Sequence, residues 1–156
     1  GISIERASNY DINNSYFNNI IYNAICIKRC NGVIKNNVFF GSGYSHILAG
    51  TDYDLPLSNE IHYNNFYNSL VDIIPKGKIN NINNNNFYMQ SECFIFILYG
   101  TYPYSQVIGD VNATNNYWAV EEVNQYLADA EDDPRCPYHI IYLPKLSNPV
   151  KQAGIQ

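Results

Sequence analysis

The chain has 156 residues, of which 46% are hydrophobic and only 15% charged, with a formal net charge of −5. That length suits one domain with a real core, and 15 tyrosines, 7 phenylalanines and a tryptophan exclude a disordered chain, which would be poor in aromatics. No run of Lys or Arg is present to neutralise phosphates, so nucleic-acid binding is excluded as the main role, and no uncharged stretch is long and apolar enough to span a bilayer.

In chain order the apolar segments are short and turn-bounded. "GISI" (1–4) reads as a strand, then "INNSYF" (12–17), "AICI" (24–27), "IKNNVF" (34–39), "HILA" (46–49), "IHYNNF" (61–66), "LVDII" (70–74), "INNNNF" (82–87), "CFIFIL" (93–98) and "VNATNNYW" (111–118). Four of these place Ile five residues before Phe, and the fifth Asn-Asn-aromatic copy, aligned on Tyr117, carries one inserted residue. The anchors Phe17, Phe39, Phe66, Phe87 and Tyr117 lie 22, 27, 21 and 30 residues apart, and two residues before them stand Ser15, Asn37, Asn64, Asn85 and Asn115. Self-similarity at this period is the mark of a stacked repeat. At a strand spacing of about 4.8 Å, asparagines in equivalent positions hydrogen-bond up and down as a ladder. Asn also tolerates the left-handed backbone of tight turns. The asparagines are therefore structural, including the six in "KINNINNNNFYMQ" (78–90).

Beyond the repeats, Val120, Val123, Leu127 and Ala130 share one helical face, with Glu121 and Glu122 in the first turn, where acids are favoured. This predicts a short α-helix that caps the end of the stack and hides its strand edges. "HIIYL" (139–143) predicts a strand lying along the last coils, and the C-terminal segment is expected to cover the outer face of "CFIFILY" (93–99). No comparable cap precedes "GISIERA" (1–7).

The I-x-N-N-x-F copies and the ending "NNYWAVEEVNQYLADAEDDPRCPYHIIYLPKLSNP" resemble the right-handed parallel β-helix repeats of the pectate-lyase-like superfamily, particularly the NosD-type copper-processing and carbohydrate-associated group. In that group Asn-Asn-Tyr-Trp (here Asn115 to Trp118) precedes a short helix and a strand ending in two prolines, here Pro144 and Pro149. Ala119 departs from the family's usual glycine. The resemblance implies an all-β fold: a right-handed parallel β-helix of about five coils over 1–118, then a cap helix and covering strand over 119–156. It also implies a single domain, the C-terminal part of a longer secreted or cell-surface protein.

Enzymes of that superfamily cut acidic polysaccharides with Asp and Lys or Arg clusters on an outer strand face, sometimes with calcium. Here the outward positions read Ser3, Glu5, Cys26, Lys28, Leu48, Asp72, Ile74, Ile95 and Ile97. Asp72 is the one catalytic candidate, and no second carboxylate accompanies it as glycoside hydrolysis requires; a solvated surface charge is the plainer reading. The surplus residues of the two long repeats, "GTDYDLPLSN" (50–59) and "GTYPYSQVIGD" (100–110), start alike and gather Asp52, Tyr53, Asp54, Tyr102 and Tyr104, with Lys76 and Lys78 between them. Aromatic planes beside charges suit a sugar or a protein partner, and Asp52 with Asp54 offers calcium a loose site without an EF-hand pattern. Cys26, Cys30, Cys93 and Cys136 are too sparse for a disulfide scaffold, and without C-x-x-C no zinc site is expected.

The expected role is a non-catalytic structural, adhesive or glycan-contacting module. A polysaccharide lyase or hydrolase around Asp72 is the alternative. Assembly into an oligomer or filament through the uncapped N-terminal coil is a third expectation.

Overall fold

A computed structural model describes residues 1–6, 9–50, 59–75, 79–88, 91–97, 109–129 and 138–156. Every strand pairing in it is parallel, and strands that pair lie roughly one repeat apart in sequence, which makes the chain a β-solenoid. The largest sheet runs β1 (Ile2–Glu5), β4 (Asn23–Lys28), β6 (Val38–Gly50), β8 (Asn65–Pro75), β10 (Asn86–Phe87) and β13 (Tyr117–Trp118). Strand β3 (Tyr16–Ile20) joins it on β6, β11 (Cys93–Phe96) on β8, and β14 (Leu127–Ala128) on β11. A second sheet stacks β2 (Asn9–Asn13), β5 (Asn31–Lys35), β7 (Asn59–His62) and β9 (Ile79–Asn83), and a third pairs β12 (Val111–Asn112) with β15 (Ile140–Ile141).

The interior is a set of columns. Ile12, Ile34, Ile61 and Ile82 stack in register and are buried. Phe17, Phe39, Phe66, Phe87 and Trp118 form an aromatic column with neighbouring ring centroids 4.9, 5.1, 5.0 and 4.4 Å apart, all close to parallel. The ring spacing follows the strand spacing, so one repeat of the backbone carries one repeat of the packing.

Between the Ile and aromatic columns the chain turns a corner, and the asparagines do two different jobs there. Asn14, Asn36, Tyr63, Asn84 and Asn115 hold positive φ angles of 49, 55, 57, 54 and 58°. This is left-handed backbone that Asn tolerates better than most residues. The next residue builds the ladder. Asn64 Oδ1 accepts from the backbone N–H of Asn37 (3.0 Å) and from its Nδ2 (3.1 Å), while Asn64 Nδ2 donates to the carbonyls of Ile34 and His62, each at 2.9 Å. Asn85 treats Asn64 in the same way. The rung above is Asn116, not Asn115: its Oδ1 accepts from Asn85 N–H at 2.9 Å and its Nδ2 donates to the Ile82 carbonyl. Accordingly Trp118, not Tyr117, sits over Phe87, and Ala113 takes the place of the isoleucine with no inserted residue. At the other end Ser15 gives its N–H to Asn37 Oδ1 but spends its hydroxyl on the carbonyl of Asn13 in its own turn. Each ladder side chain serves the rung before it, and Ser15 lies on the first rung, so the ladder ends there among the described residues.

Gly32 and Gly154 are among the glycines that allow close approach. Gly32 lies in register between Tyr10 and Asn59, and a Cβ there would come within 2.3 Å of the Tyr10 carbonyl and 2.5 Å of its ring. Its absence lets the Tyr10 hydroxyl cross the rung to Asn59 Oδ1 at 2.6 Å. Gly154, at φ +93°, lies against Asn65 where a Cβ would meet Nδ2 at 2.5 Å.

Gly154 belongs to a C-terminal tail that runs back along the stack. Leu146 N–H bonds the Asn116 carbonyl. Val150 exchanges both backbone groups with the Asn86 amide (2.7 and 3.0 Å), Ala153 accepts from Asn65, and Gly154 donates to Tyr63. The tail therefore covers the Asn65–Asn86 corner. The strand expected within 139–143 forms at Ile140–Ile141 and pairs in register with β12 as a further rung. In place of the expected α-helix there is one 3-10 turn, Val123–Tyr126, followed by β14 on the edge of β11. Val123 and Leu127 are buried as their spacing required, but the open edge of β11 offers backbone hydrogen bonds, including Ile97 N–H to the Ala128 carbonyl, and tertiary pairing outweighs helix propensity.

Asn116→Ala strips two buried carbonyls and the Asn85 N–H of their partners, so it should cost at least about 3 kcal/mol at roughly 1–3 per orphaned group. Asn115→Ala loses only the ease of left-handed backbone, about 1 kcal/mol. Urea melts of the two variants check this; equal losses would contradict the assignment of the fifth rung.

Candidate functional site

The strand that follows the second corner begins with two consecutive inward residues. Ala24 and Ile25 are both core, as are Phe94 and Ile95. With Ile25, Ile47, Ile73 and Ile95 in register, the position before them forms a column of Ala24, His46, Asp72 and Phe94, all fully buried. Asp72 was expected outside as a solvated charge. Strict alternation, which put it there, fails where the chain rounds the corner. Ile95 and Ile97 also lie inside rather than outside, while Cys26, Leu48 and Ile74 form one in-register column outside the core cluster, in which Ile74 is nevertheless fully covered.

The Asp72 carboxylate is held by one oxygen. Its Oδ1 takes the Ser69 and Ser91 hydroxyls, each at 2.8 Å, and lies 2.9 Å from His46 Nδ1. An ionised Asp72 with a proton on His46 Nδ1 makes all three contacts hydrogen bonds. The imidazole packs against the rings of Phe39 and Phe66, with centroids at 5.5 and 5.9 Å. Nucleophilic catalysis needs a hydroxyl on the imidazole and access for substrate. Both serines bond the carboxylate instead, and His46 and Asp72 have no exposed surface. The cluster is a buried polar network that holds the coil, and Asp72 is not placed to touch a substrate.

The outer face of the sheet is different in character. Beside the inward aromatic column, Asn18, Phe40 and Tyr67 stand in register on β3, β6 and β8, and Tyr88 continues the row. Tyr67 and Tyr88 are stacked at 4.4 Å and 3° interplanar angle, Phe40 lies 6.2 Å from Tyr67 with its ring tilted by 43°, and Tyr117 meets Tyr88 edge-on at 6.2 Å. Half burial, then the neighbouring Tyr88 hydroxyl, pushes the Tyr67 phenol up to about 12. The adjoining corner adds Ile21, Tyr22, Tyr44 and Leu70, all exposed. The aromatic row was legible as the doublets Phe39-Phe40, Phe66-Tyr67 and Phe87-Tyr88, which a search for the anchor alone passes over.

The loop residues singled out from sequence, Asp52, Tyr53, Asp54, Lys76, Tyr102 and Tyr104, lie outside the described residues, as do Lys78 and Cys136. Among the described residues no group of three His, Cys, Asp or Glu side chains is placed to hold a metal ion, and no helix is long and apolar enough to cross a membrane. At the C-terminal end a cleft of about 410 Å³ is lined by Asn124, Gln125, Leu127, Asp129, His139, Ile140 and Tyr142, with Asp129 Oδ2 fixed by the Ile140 N–H at 2.6 Å.

The class that the architecture defines is a parallel β-solenoid with an asparagine ladder. Compared with known proteins, the chain matches no family model, no curated protein and no solved structure.

Tyr67 favours the neutral phenol in the folded state, so its contribution to stability is complete below about pH 10 and is lost as pH rises through about 12. Tyr67→Phe should remove a late component, centred near pH 12, from the ultraviolet alkaline titration. An unchanged titration curve would contradict the stacked, half-buried placement.

Proposed function

We propose that the chain is a non-catalytic structural module of a secreted or cell-surface protein, a right-handed parallel β-helix of about five coils. It is related to the pectate-lyase-like group and contacts neutral glycans on its outer sheet face. The observation that carries this reading is the uncharged row of Asn18, Phe40, Tyr67 and Tyr88, with exposed Tyr16 beside it; Asn65 and Asn86 of the neighbouring row lie under the C-terminal tail and take no part. Sugars without charge are held by ring faces under their C–H bonds and by amides and phenols on their hydroxyls. Tyr67 and Tyr88 turn their faces toward each other, so they offer edges and hydroxyls, while tilted Phe40 offers a face. The burial of Asp72 supports a binding rather than a hydrolytic role. The tyrosine loops carrying Tyr53 and Tyr102 form the second contact region of this reading.

Neutral oligosaccharides titrated calorimetrically should bind, with affinity lowered at least about tenfold, or 1.4 kcal/mol, by Phe40→Ala and Tyr88→Ala, and left unchanged by Lys35→Ala on the opposite sheet. Absence of binding across neutral glycans, or equal binding by all three variants, would overturn the reading.

A further inference from the structure

Low-complexity repeats have a specific problem: their register is weakly determined. A slip of two residues along a regularly alternating strand keeps every side chain on its own face. Beyond the corner, such a slip would set Ile47 opposite Val71 or Pro75, and Ile73 opposite Cys93 or Ile97, so apolar residues still meet along this column. The ladder and the ring column hold the register up to the corner, but the pairing of β6 with β8 shifts between Ser42 and Ser45, so they do not by themselves fix the strand segments beyond it.

One interior feature occurs once. The column Ala24, His46, Asp72 and Phe94 carries a carboxylate at one rung, an imidazole at the rung beside it, and apolar side chains at both flanks. The serines that complete the site come from two successive rungs: Ser69 is in register with Ser42, and the Ser91 hydroxyl also receives the Ser69 N–H at 3.3 Å. The native alignment thus draws on residues of β6, β8 and the segment before β11 together. A two-residue slip between β6 and β8 moves Asp72 opposite the position of Tyr44 or Leu48, and His46 opposite Leu70 or Ile74. The carboxylate then loses the imidazole inside an apolar interior, and a buried charge without its partner is strongly disfavoured.

We propose that the His46–Asp72–Ser69–Ser91 cluster is a register key. It makes a stability contribution that an apolar filling would match, and its specific role is to exclude slipped pairings between the three consecutive rungs it joins. Neighbouring rungs show that apolar residues fit this column, as Ala24 and Phe94 already do.

The test uses isotope-labelled full-length chain and solution NMR, comparing the wild type with His46→Phe/Asp72→Ala and with Asp72→Asn. The double variant fills the column with the residue types of its neighbours. Asp72→Asn keeps shape and an acceptor but removes the charge. The wild type should give one set of amide signals, with ring contacts between Phe39 and Phe66 as in the native register. Both variants should remain folded and show at least a second set for residues of β6 and β8, amounting to a tenth or more of the signal. A single set with native contacts in both variants would overturn the proposal. So would failure of both to fold, since the cluster would then be a stability element without a register role. Where only the double variant fails to fold, Asp72→Asn decides alone.

Discussion

The structure depends on one repeated interaction: a buried asparagine amide that serves the backbone of the adjacent rung. At the first corner the chain leaves sheet geometry, and its N–H and carbonyl groups point into an interior without water. Asparagine carries an acceptor and a donor on one short stem. In Asn64 the oxygen closes the Asn37 N–H while the nitrogen closes the carbonyls of Ile34 and His62. Aspartate would supply no donor and would bring a charge; serine has only one short hydroxyl, which in Ser15 bonds the carbonyl of Asn13 in its own turn. Each such bond is worth about 1 kcal/mol net, yet leaving its partners unmet costs more. The corner therefore constrains the sequence more tightly than the strands do.

Once the ladder fixes the rung spacing, other columns must tolerate having like beside like at about 4.8 Å. Phenylalanine and isoleucine do so with gain, as the near-parallel ring column from Phe17 to Trp118 shows. Like charges do not, since directly opposed equal charges on neighbouring strands destabilise the pair. The low charge content of 15% and the surface of amides and phenols follow from stacking itself. Opposite charges are placed together in the stack: Glu5 lies in register with Lys28, and Asp11 meets Lys35 at 3.0 Å.

Much of this was legible from the sequence, and the misreadings share a cause. The repeats announced a parallel stack, and Asn37, Asn64 and Asn85 could be picked from the pattern because an isoleucine five residues upstream of Phe fixed the frame. At the fifth copy the isoleucine is Ala113, the aromatic is doubled in Tyr117-Trp118, and the asparagine is doubled in Asn115-Asn116, so the same motif fits two frames one residue apart. For Asp72 and Ile95 the alternation rule was applied across a corner where two successive residues point inward. The cap was read as a helix because Val123 and Leu127 are four apart, a spacing that a single 3-10 turn running into a strand also satisfies. Local patterns cannot register a free sheet edge, and it was the edge of β11 that decided this segment.

Repetition and its interruption carry different information. A neutral amide can recur at every rung because it adds no net charge to the interior. A carboxylate cannot: two stacked at 4.8 Å would repel by about 3.5 kcal/mol even at an effective dielectric of about 20. Asp72 is accordingly solitary in its column, beside an imidazole and under two hydroxyls. On the outer face the same logic runs in reverse, since aromatic side chains recur there without electrostatic cost and their row from Phe40 through Tyr88 needs no charge to stay in place. What repeats inside holds the coil, what occurs once inside distinguishes one rung from the next, and what repeats outside offers an extended partner the same chemistry at each step.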